Sequence, residues 1–527
     1  MRFKHLAAAA FFLVVCAALA QAQEPFNYLK VGVDGEGFIT LSEGGGPYER
    51  FFPLGTFFYP AIPGIFDSEG PGPDYLRFAT VMGGNLVVAP WDPAEWPDRP
   101  GAIFQDEPTC AAHLGAAEAA GVKILADPAL FWGIYFRWQD DGNIVWPAQR
   151  EQRFNQMVEW VENSYHASAF MGYYHWDQPA WRYYDSRNRL PEPRPSYTYT
   201  NNATAQLRTL ENGENASHAI FMAEGDAVKV RDLWKDYHNG ADIVGGVVLP
   251  YPDPSTLFVA NQDFWSPKAG CLLPNYYSSV TGSLADALHP TSRYNEPSRP
   301  RSKPYIAVLQ AKDQGGVAIT RQEMFFQAYD AIIHGAKGLV WYDDNDFQTP
   351  TEFNFFYLDS SVPWHLQDLI NELTSFDING AIKGDYDNTV VAVPAKIPPN
   401  YVLVEQSTFI SGKLVPKTHF LSDRVIMEGV AKKFGDWTYL IVACRPSGGA
   451  VSEYRVRFRP FFSAYDSKNP WGKEAPDNTV YKLGDGHMHV NDEEGGGWWE
   501  DTFHPGEVFI YKFETPSPWQ PPNPPPP

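Results

Sequence analysis

Short apolar runs alternate with longer amphipathic stretches from Phe51 to about position 375. The short runs have the length and composition of buried strands, and between them apolar residues recur three and four positions apart, as in helices. Such repeated strand–helix units are typical of a closed (β/α)₈ TIM barrel, an α/β fold, which we predict for residues 51–375. The predicted strands are 52–58, 84–89, 122–127, 170–176, 217–223, 242–248, 304–310 and 337–342.

The predicted helices are 111–120, 150–164, 226–238, 321–334 and 362–373. An open, doubly wound sheet is the competing architecture. It would normally show a glycine-rich phosphate turn after its first strand, and the sequence has none there.

The segments on either side of the predicted barrel have a different pattern. Residues 28–42 alternate apolar and polar positions around Asp34-Gly35, which predicts that the segment 23–50 forms a β-hairpin leading into the barrel. Residues 381–515 have a period near two, with strands expected at 389–394, 436–443, 453–459 and 507–513, which predicts an antiparallel β-sandwich. The tail, 516–527, is mostly proline and is expected to be extended and disordered.

The first 22 residues are predicted to be a secretory signal peptide. Arg2 and Lys4 precede an apolar run, and small residues follow it near Ala20 and Ala22. A lipid anchor is the less favoured alternative, because Val15 rather than a small residue precedes Cys16. We therefore expect a secreted or periplasmic protein, with no membrane partner after cleavage.

Composition narrows the choice of partner. The net charge of −22 disfavours nucleic acid and anionic membranes, which require a basic surface. Aromatic residues make up 15% of the chain, and their flat rings can stack on the apolar faces of sugars or fill a large core. Three cysteines remain after signal cleavage, and a single Cys110–Cys271 bridge is one option.

Catalytic and binding residues of a barrel lie at the C-terminal ends of its strands. There the sequence offers carboxylates, amides and aromatic rings and very few cations, which suits a neutral ligand rich in hydroxyl groups. Glycosidic bond cleavage needs two carboxyl groups, and two different strand ends can supply them. The strand-end residues are Trp91, Asp92, Asp127, Asp177, Gln178, Glu224, Asp226, Tyr251, Gln310, Asp313, Trp341, Asp343 and Asp344.

Four segments resemble the barrels of clan A glycoside hydrolases, in particular β-galactosidase-like and poorly characterised members whose barrel is followed by a sandwich. The segments are GPYERFFPLGTFFYP ending at Pro60, FMGYYHWDQP at 170–179, ADIVGGVVLPYP at 241–252 and 320–342. The resemblance spans roughly residues 28 to 375. It implies hydrolysis of a polysaccharide or oligosaccharide, with catalytic Glu residues ending the fourth and seventh strands.

Both of those Glu positions differ in this chain. Gln178 occupies the place of the acid, and the seventh strand ends at Gln310. Three explanations are open. Asp177, Glu224 and Asp343 can replace the missing acids, an inverting mechanism can use a more distant pair while the glutamines bind sugar hydroxyls, or the barrel has lost catalysis and binds carbohydrate only.

Each candidate also has a structural interpretation. Asp177 can cap a turn, Glu224 can cap the helix that follows it, and Asp343 belongs to an acidic stretch that can be a solvated turn or a calcium site. Sugar contacts are predicted for Gln178, Trp176, Tyr251, Gln310, Trp341 and Trp91, although Trp176 and Trp341 can equally pack in the core. Thr320 and Glu323 form a capping box, which favours capping over catalysis for Glu323.

No cofactor or metal is predicted. The sequence has no nucleophile elbow, no His-Glu-x-x-His pair and no phosphate loop. His487, His489 and Asp492 stand close together, but without a second ligand cluster a plain hairpin is favoured. The sequence therefore predicts a secreted glycoside hydrolase-like protein, with a non-catalytic carbohydrate-binding barrel as the alternative.

Overall fold

The structure is a computed structural model of the chain. It describes residues 29–57, 75–90, 106–127, 137–138, 144–145, 148–164, 166–177, 218–224, 241–248, 304–310, 320–333, 335–342, 361–386, 390–391, 407–410, 413–416, 427–444, 454–460, 480–483, 488–489, 499–504 and 506–514. The predicted signal peptide and proline-rich tail lie outside these residues. None of the helices in the described segments is both long and apolar enough to cross a membrane.

The chain first forms a three-stranded antiparallel sheet of β1 (Leu29–Val33), β2 (Ile39–Glu43) and β3 (Glu49–Phe51). Asp34 begins the turn between β1 and β2, where its carboxylate accepts hydrogen bonds from the backbone N–H groups of Glu36 and Phe38 at 2.9 and 2.8 Å. The hairpin therefore forms around Asp34, as the sequence indicates, and β3 extends it to a sheet.

Eight parallel strands then close into a barrel, which confirms the predicted fold class. Each overlaps one of the eight strands predicted from the sequence. They are β4 (Leu54–Phe57), β5 (Leu86–Pro90), β6 (Lys123–Asp127), β9 (Phe170–Asp177), β10 (Ala219–Glu224), β11 (Ile243–Val248), β12 (Tyr305–Gln310) and β13 (Leu339–Tyr342). Between β6 and β9, β7 (Arg137–Trp138) and β8 (Ile144–Val145) form a separate antiparallel pair.

Side chains alternate between two layers along each barrel strand. One apolar cluster fills the barrel interior, and it includes Leu86, Val88, Leu125, Phe221, Ala223, Ile306, Val308 and Val340. A second cluster contains the residues between them, which pack against the surrounding helices; it includes Val87, Ile124, Ala126, Ile220, Ala307, Leu309 and Leu339. The layer to which a strand position belongs can therefore be read from its neighbours.

The helices surround the barrel. Four predicted helices are observed with shifted ends, whereas 226–238 lies outside the described residues, and a helix at 376–383 was not predicted. The helical segments are Tyr75–Arg77, Phe78–Met82 with π geometry, Glu107–Ala120, Ala148–Glu162, Ala167–Ala169 with 3₁₀ geometry, Arg321–Ile333, Ser361–Thr374 and Phe376–Lys383.

The capping box predicted at Thr320 and Glu323 is confirmed. The backbone N–H of Thr320 donates to the Glu323 carboxylate at 2.9 Å, and the backbone N–H of Glu323 donates to the Thr320 hydroxyl at 3.2 Å. These bonds satisfy two backbone donors that a helix start leaves unpaired. Glu323 is therefore used at the start of helix Arg321–Ile333.

The N-terminal sheet covers the bottom of the barrel, the end at which its strands begin. Leu29, Ile39 and Leu41 join the interior cluster, and Lys123 at the start of β6 forms an ion pair with Glu43 at the end of β2. These contacts bury the lower end of the barrel interior in the part of the chain that the structure describes.

Phe38, which is fully buried, lies among three cations at this bottom end. The Lys337 Nζ is 3.6 Å from the ring centroid, the Arg50 Cζ is 4.5 Å away and the Lys432 Nζ is 5.1 Å away. Lys432 also donates to the backbone carbonyl of Gly384 at 3.2 Å. Burial, followed by repulsion from Lys337 and Arg50, lowers the pKa of Lys432 well below its ordinary value.

The C-terminal part consists of two antiparallel sheets. The larger contains β14 (Asp385–Tyr386), β16 (Ser407–Ile410), β17 (Lys413–Pro416), β18 (Met427–Phe434), β19 (Trp437–Cys444), β21 (Val480–Lys482), β22 (Met488–His489) and β24 (Val508–Glu514). The smaller contains β15 (Val390–Val391), β20 (Tyr454–Pro460) and β23 (Trp499–Phe503).

Asp501 connects these two sheets. It lies on β23, and its carboxylate contacts the Lys482 Nζ of β21 at 3.0 Å and accepts from the Tyr511 hydroxyl of β24 at 2.8 Å. The two sheets therefore face each other, as in the predicted β-sandwich.

The helix Arg321–Ile333 lies between the barrel and the larger sheet, and every one of its residues from Met324 onward is buried. One continuous apolar cluster includes Ala328 of this helix, Leu339 of the barrel and Tyr439 of the sheet. The Tyr439 hydroxyl and the Lys512 Nζ both donate to Asp377 at 2.8 Å. These contacts attach the sandwich to one side of the barrel.

The structure corrects the suggested Cys110–Cys271 bridge. Cys110 is a free, buried thiol in the apolar layer outside the barrel strands. Burial, together with the nearby Glu107, raises its pKa to about 12. A thiol with such a pKa is protonated at neutral pH and behaves as an apolar core residue.

Candidate active site at the C-terminal end of the barrel

The parallel strands bring their C-terminal residues to one edge of the barrel. Asp127, Asp177, Glu224 and Gln310 are the last residues of β6, β9, β10 and β12, so the backbone places all four at the mouth. Trp176 lies within β9 and Trp341 within β13. The strand register then decides which of these positions belong to the interior layer.

Asp127 holds an interior position. It lies two residues beyond Leu125, an interior residue, and it is in register with Pro90, which lies two residues beyond the interior residue Val88. The alternation of side chains along β6 and along β5 therefore assigns Asp127 to the interior layer in both cases. The sequence identifies Asp127 only as a strand end, and it is the alternation within KILAD that distinguishes it.

A β-bulge brings Asp177 to an interior position as well. Phe221 pairs with Tyr174, but Ala223 pairs with Asp177, so β9 contains one more residue than β10 between these two pairs. Since partners in register share a face of the sheet, Asp177 occupies the face of Ala223, which is an interior residue. Bulges of this kind change the face that a strand position occupies, and they occur frequently next to active sites.

Gln310 is a third interior position. It lies two residues after the interior residue Val308 and is in register with Tyr342, which lies two residues after the interior residue Val340. In the order of strands around the barrel, β12 is four places from β6, so Gln310 and Asp127 stand on opposite sides of the mouth. An amide at this position can both donate and accept hydrogen bonds.

Glu224 holds a position in the outer layer. It directly follows the interior residue Ala223 and is in register with Gly246, which in turn pairs with Ala307 of the outer cluster. The register therefore places Glu224 on the face toward the surrounding helices. Its strand-end location agrees with the sequence prediction, but its face differs from that of Asp127 and Asp177.

Trp341 is packed in the core. It is 1% exposed, it belongs to the outer cluster, and it pairs with Leu309 and Thr56 on the neighbouring strands. This is the packing alternative that the sequence left open for this residue. The stacking of a sugar on Trp341 is not compatible with this position.

The remaining predicted site residues lie outside the described part of the chain. They are Trp91, Gln178, Tyr251 and Asp343. In sequence, Trp91 follows β5, Gln178 follows β9 and Asp343 follows β13, while Tyr251 comes three residues after β11. Their proposed contacts with sugar and their part in catalysis stay predictions.

Glu372, on a helix outside the barrel, has a carboxyl group with a shifted pKa, and its role is structural. Burial raises the pKa of Glu372, and the hydroxyl of Tyr329 donates to it across the helices Arg321–Ile333 and Ser361–Thr374. This pair links two helices and is distant in the sequence from every strand end. Within the described segments, no group of three or more His, Cys, Asp and Glu residues could hold a metal ion.

No protein-family model matches the chain, and no curated protein matches it either. Glycoside hydrolases are among the solved structures similar to it. An endoxylanase of glycoside hydrolase family 30 from Clostridium papyrosolvens is 9% identical, with 88% of this chain and 96% of that chain covered and a TM-score of 0.42.

Two further solved structures are similar to the chain. A glycoside hydrolase of family 5 from Bacteroides vulgatus is 10% identical, with 92% of this chain and 93% of that chain covered and a TM-score of 0.45. An α-amylase from H. orenii is 10% identical, with 88% of this chain and 100% of that chain covered and a TM-score of 0.44. The assignment of the fold rests on the strand pairing described above.

Proposed function

We propose that the barrel mouth binds a neutral polysaccharide or oligosaccharide and that the protein hydrolyses its glycosidic bonds by carboxylate acid/base catalysis. The observation that carries this proposal is the interior position of Asp177 at the C-terminal edge of a closed barrel, set there by the bulge in β9. Active sites of such barrels lie at this edge.

Asp177 is the residue that we assign to proton donation. It immediately precedes Gln178, whose amide cannot give up a proton to a leaving group. An aspartic acid one residue earlier supplies the missing proton if its position faces the interior. The register supports that condition.

The amides and aromatic residues provide the binding part of the proposal. Gln310 and Gln178 would hydrogen bond to sugar hydroxyls, and Trp176, Tyr251 and Trp91 would contact the apolar faces of the sugar rings. No cationic residue ends any described barrel strand, which suits a neutral rather than an acidic glycan.

The alternative is a non-catalytic barrel that binds carbohydrate. The specific observation that favours it is the presence of Gln178 and Gln310 where the resemblance implies catalytic Glu residues. Under this alternative the mouth would retain sugar contacts and release no product.

A screen for reducing sugars over diverse neutral glycans separates the two functions. We expect release by the wild type and loss of release by Asp177→Asn. Equal release by both proteins would remove Asp177 from the mechanism, whereas binding without release by the wild type would establish the non-catalytic barrel.

We also propose export through the signal peptide at residues 1–22. The supporting features are the basic start, the apolar run and the small residues that follow it. N-terminal sequencing of the mature protein from the periplasm or the medium tests this, and an intact N-terminus starting at Met1 would contradict it.

A further inference from the structure

We propose that Gly172 is a positioning residue, which sets the face of β9 on which Asp177 stands at the barrel mouth. This inference rests on the proposed function, because Asp177 is the proton donor assigned there. Gly172 belongs to the same strand as Asp177 but lies nearer its beginning, away from the mouth. Its role is to allow a second bulge in β9, on the side toward β6.

β9 contains an extra residue against β6 as well as against β10. Phe170 pairs with Ile124 of β6. The next residue of β6, Leu125, pairs with Gly172, so Met171 is the extra residue of β9. Leu125 and Met171 are both interior residues, and the register gives Gly172 the face of Leu125. Two successive residues of β9 therefore share one face, as in a β-bulge.

This bulge reverses the alternation of the residues that follow it. Counted from the interior residue Met171 by simple alternation, Tyr173 would face the interior and Tyr174 the helices. The structure shows the opposite, since Tyr173 belongs to the outer cluster and Tyr174 to the interior cluster. The ring centroid of Tyr174 lies 5.2 Å from that of Phe221, another interior residue. The bulge at Gly172 thus sets the phase of the rest of the strand.

Asp177 takes its face from this phase. Tyr174 is interior, and the bulge nearer the mouth then carries Asp177 to the face of the interior residue Ala223. If the bulge at Gly172 were lost and the one nearer the mouth remained, Tyr174 would become an outer residue. Asp177 would follow it to the outer layer and face the helices.

The backbone around Gly172 leaves no space for a side chain. Gly172 has a φ of 148°, a conformation that residues with a Cβ rarely adopt. A Cβ there would lie 2.6 Å from the amide nitrogen of Ala219 on β10, and closer still to the carbonyl oxygen of the same residue. Because both are backbone atoms, no side-chain rotation can relieve the overlap. An alanine at this position would therefore force β9 out of the bulge.

The test compares Gly172→Ala with deletion of Gly172 in the full-length mature protein, on the neutral glycan that the wild type cleaves fastest. In Gly172→Ala the strand loses the bulge and Asp177 turns outward, so we expect kcat to fall at least about 100-fold with a smaller change in KM. In the deletion variant Met171 alone stands opposite Leu125, so no bulge is required and the later residues keep their faces. We expect this variant to be at least about tenfold more active than Gly172→Ala, because it keeps the proton donor in place.

An aryl glycoside with a good leaving group separates positioning from a general loss of structure. Such a substrate needs little proton donation, so Gly172→Ala should lose much less activity on it than on the glycan. Gly245→Ala is the matched control. Its added Cβ would lie 2.6 Å from the ring of Phe221 inside the barrel, but β11 pairs with both neighbouring strands without a register shift. We expect this control to slow the two substrates to the same extent.

Thermal unfolding of each variant checks that it is folded, and the outcomes distinguish the two proposals. If folded Gly172→Ala keeps its activity on the glycan, or loses activity equally on both substrates, the role of Gly172 is wrong and the proposed function stands. If Gly172→Ala does not fold, the deletion variant decides: an active protein supports the role, and an inactive or unfolded one overturns it. If the wild type cleaves neither substrate, the proposed function fails, and the role of Gly172 fails with it.

Discussion

The two ends of the barrel have opposite chemistry. At the bottom, Phe38 is enclosed by Arg50, Lys337 and Lys432 beneath a sheet that covers the interior. At the mouth, the described strands end in acids, an amide and neutral residues. The bottom is buried, and the mouth holds the C-terminal ends of the strands. We therefore expect substitutions at the bottom to change stability and substitutions at the mouth to change activity.

The largest expected effect belongs to the mouth. Asp177→Asn should lower kcat by about 10²–10⁴-fold, since the amide cannot donate a proton to the leaving oxygen. The free energy of unfolding should change little. Rates of reducing-sugar release and urea unfolding curves measure the two quantities.

If Asp177→Asn unfolds the protein instead, this strand end serves the fold, and the contrast between the two ends is lost. The isosteric exchange of Asp for Asn limits this risk, because it keeps the shape of the side chain.

At the bottom, Phe38→Ala should destabilise the protein by about 3–5 kcal/mol, because it leaves a cavity among three cations. Phe376→Ala is the matched control, because Phe376 is 81% exposed and its truncation should cost much less. Urea unfolding gives both values. A similar small loss for both variants would show that the packing around Phe38 contributes little.

Lys432→Met should raise the stability at neutral pH by about 1 kcal/mol or more, because it removes a buried charge whose protonated form is disfavoured. The pKa of Lys432 in the folded state is lowered, so the folded protein binds fewer protons than the unfolded chain between that pKa and about 10.4. Wild-type stability therefore gains from this group as pH rises through that window.

The advantage of Lys432→Met should accordingly shrink as pH rises from 7 toward 10. The charged neighbours are Lys337, Arg50, Glu36 and Asp385, and all are retained in the variant. Unfolding curves measured at several pH values test this, and a constant difference between the two proteins would show that Lys432 does not titrate in this range.

The smallest expected effect lies away from both ends. Thr320→Ala removes the hydroxyl that accepts from the backbone of Glu323, which should cost about 1 kcal/mol without changing kcat. Thr320→Ser keeps the hydroxyl and should remain close to the wild type. A loss of activity in folded Thr320→Ala would place this helix start in the catalytic machinery.

The sequence predicts the barrel well, because its information is local. Each of the eight strands is a short apolar run, and the amphipathic stretches between them fix the order of elements. The layers also follow from local alternation, as the step from Leu125 to Asp127 shows. Once the barrel is predicted, this alternation is enough to assign Asp127 to the interior layer.

Two features depend on long-range contacts and could not be predicted. The bulge that changes the face of Asp177 exists only in the register between β9 and β10. The helix Phe376–Lys383 contains Gly380, a poor helix former, yet a Cβ there would lie 2.2 Å from the ring of Phe434. The glycine is needed for close packing against the sheet, which local propensity does not reveal.

The buried helix Arg321–Ile333 has a consequence for how the chain can be divided. One side of this helix packs against the barrel and the other against the sandwich. A fragment ending near residue 381 would therefore expose the apolar side of the helix to water, and we expect it to aggregate. The sandwich is therefore an integral part of the folded protein, and we expect barrel and sandwich to unfold as a single cooperative unit.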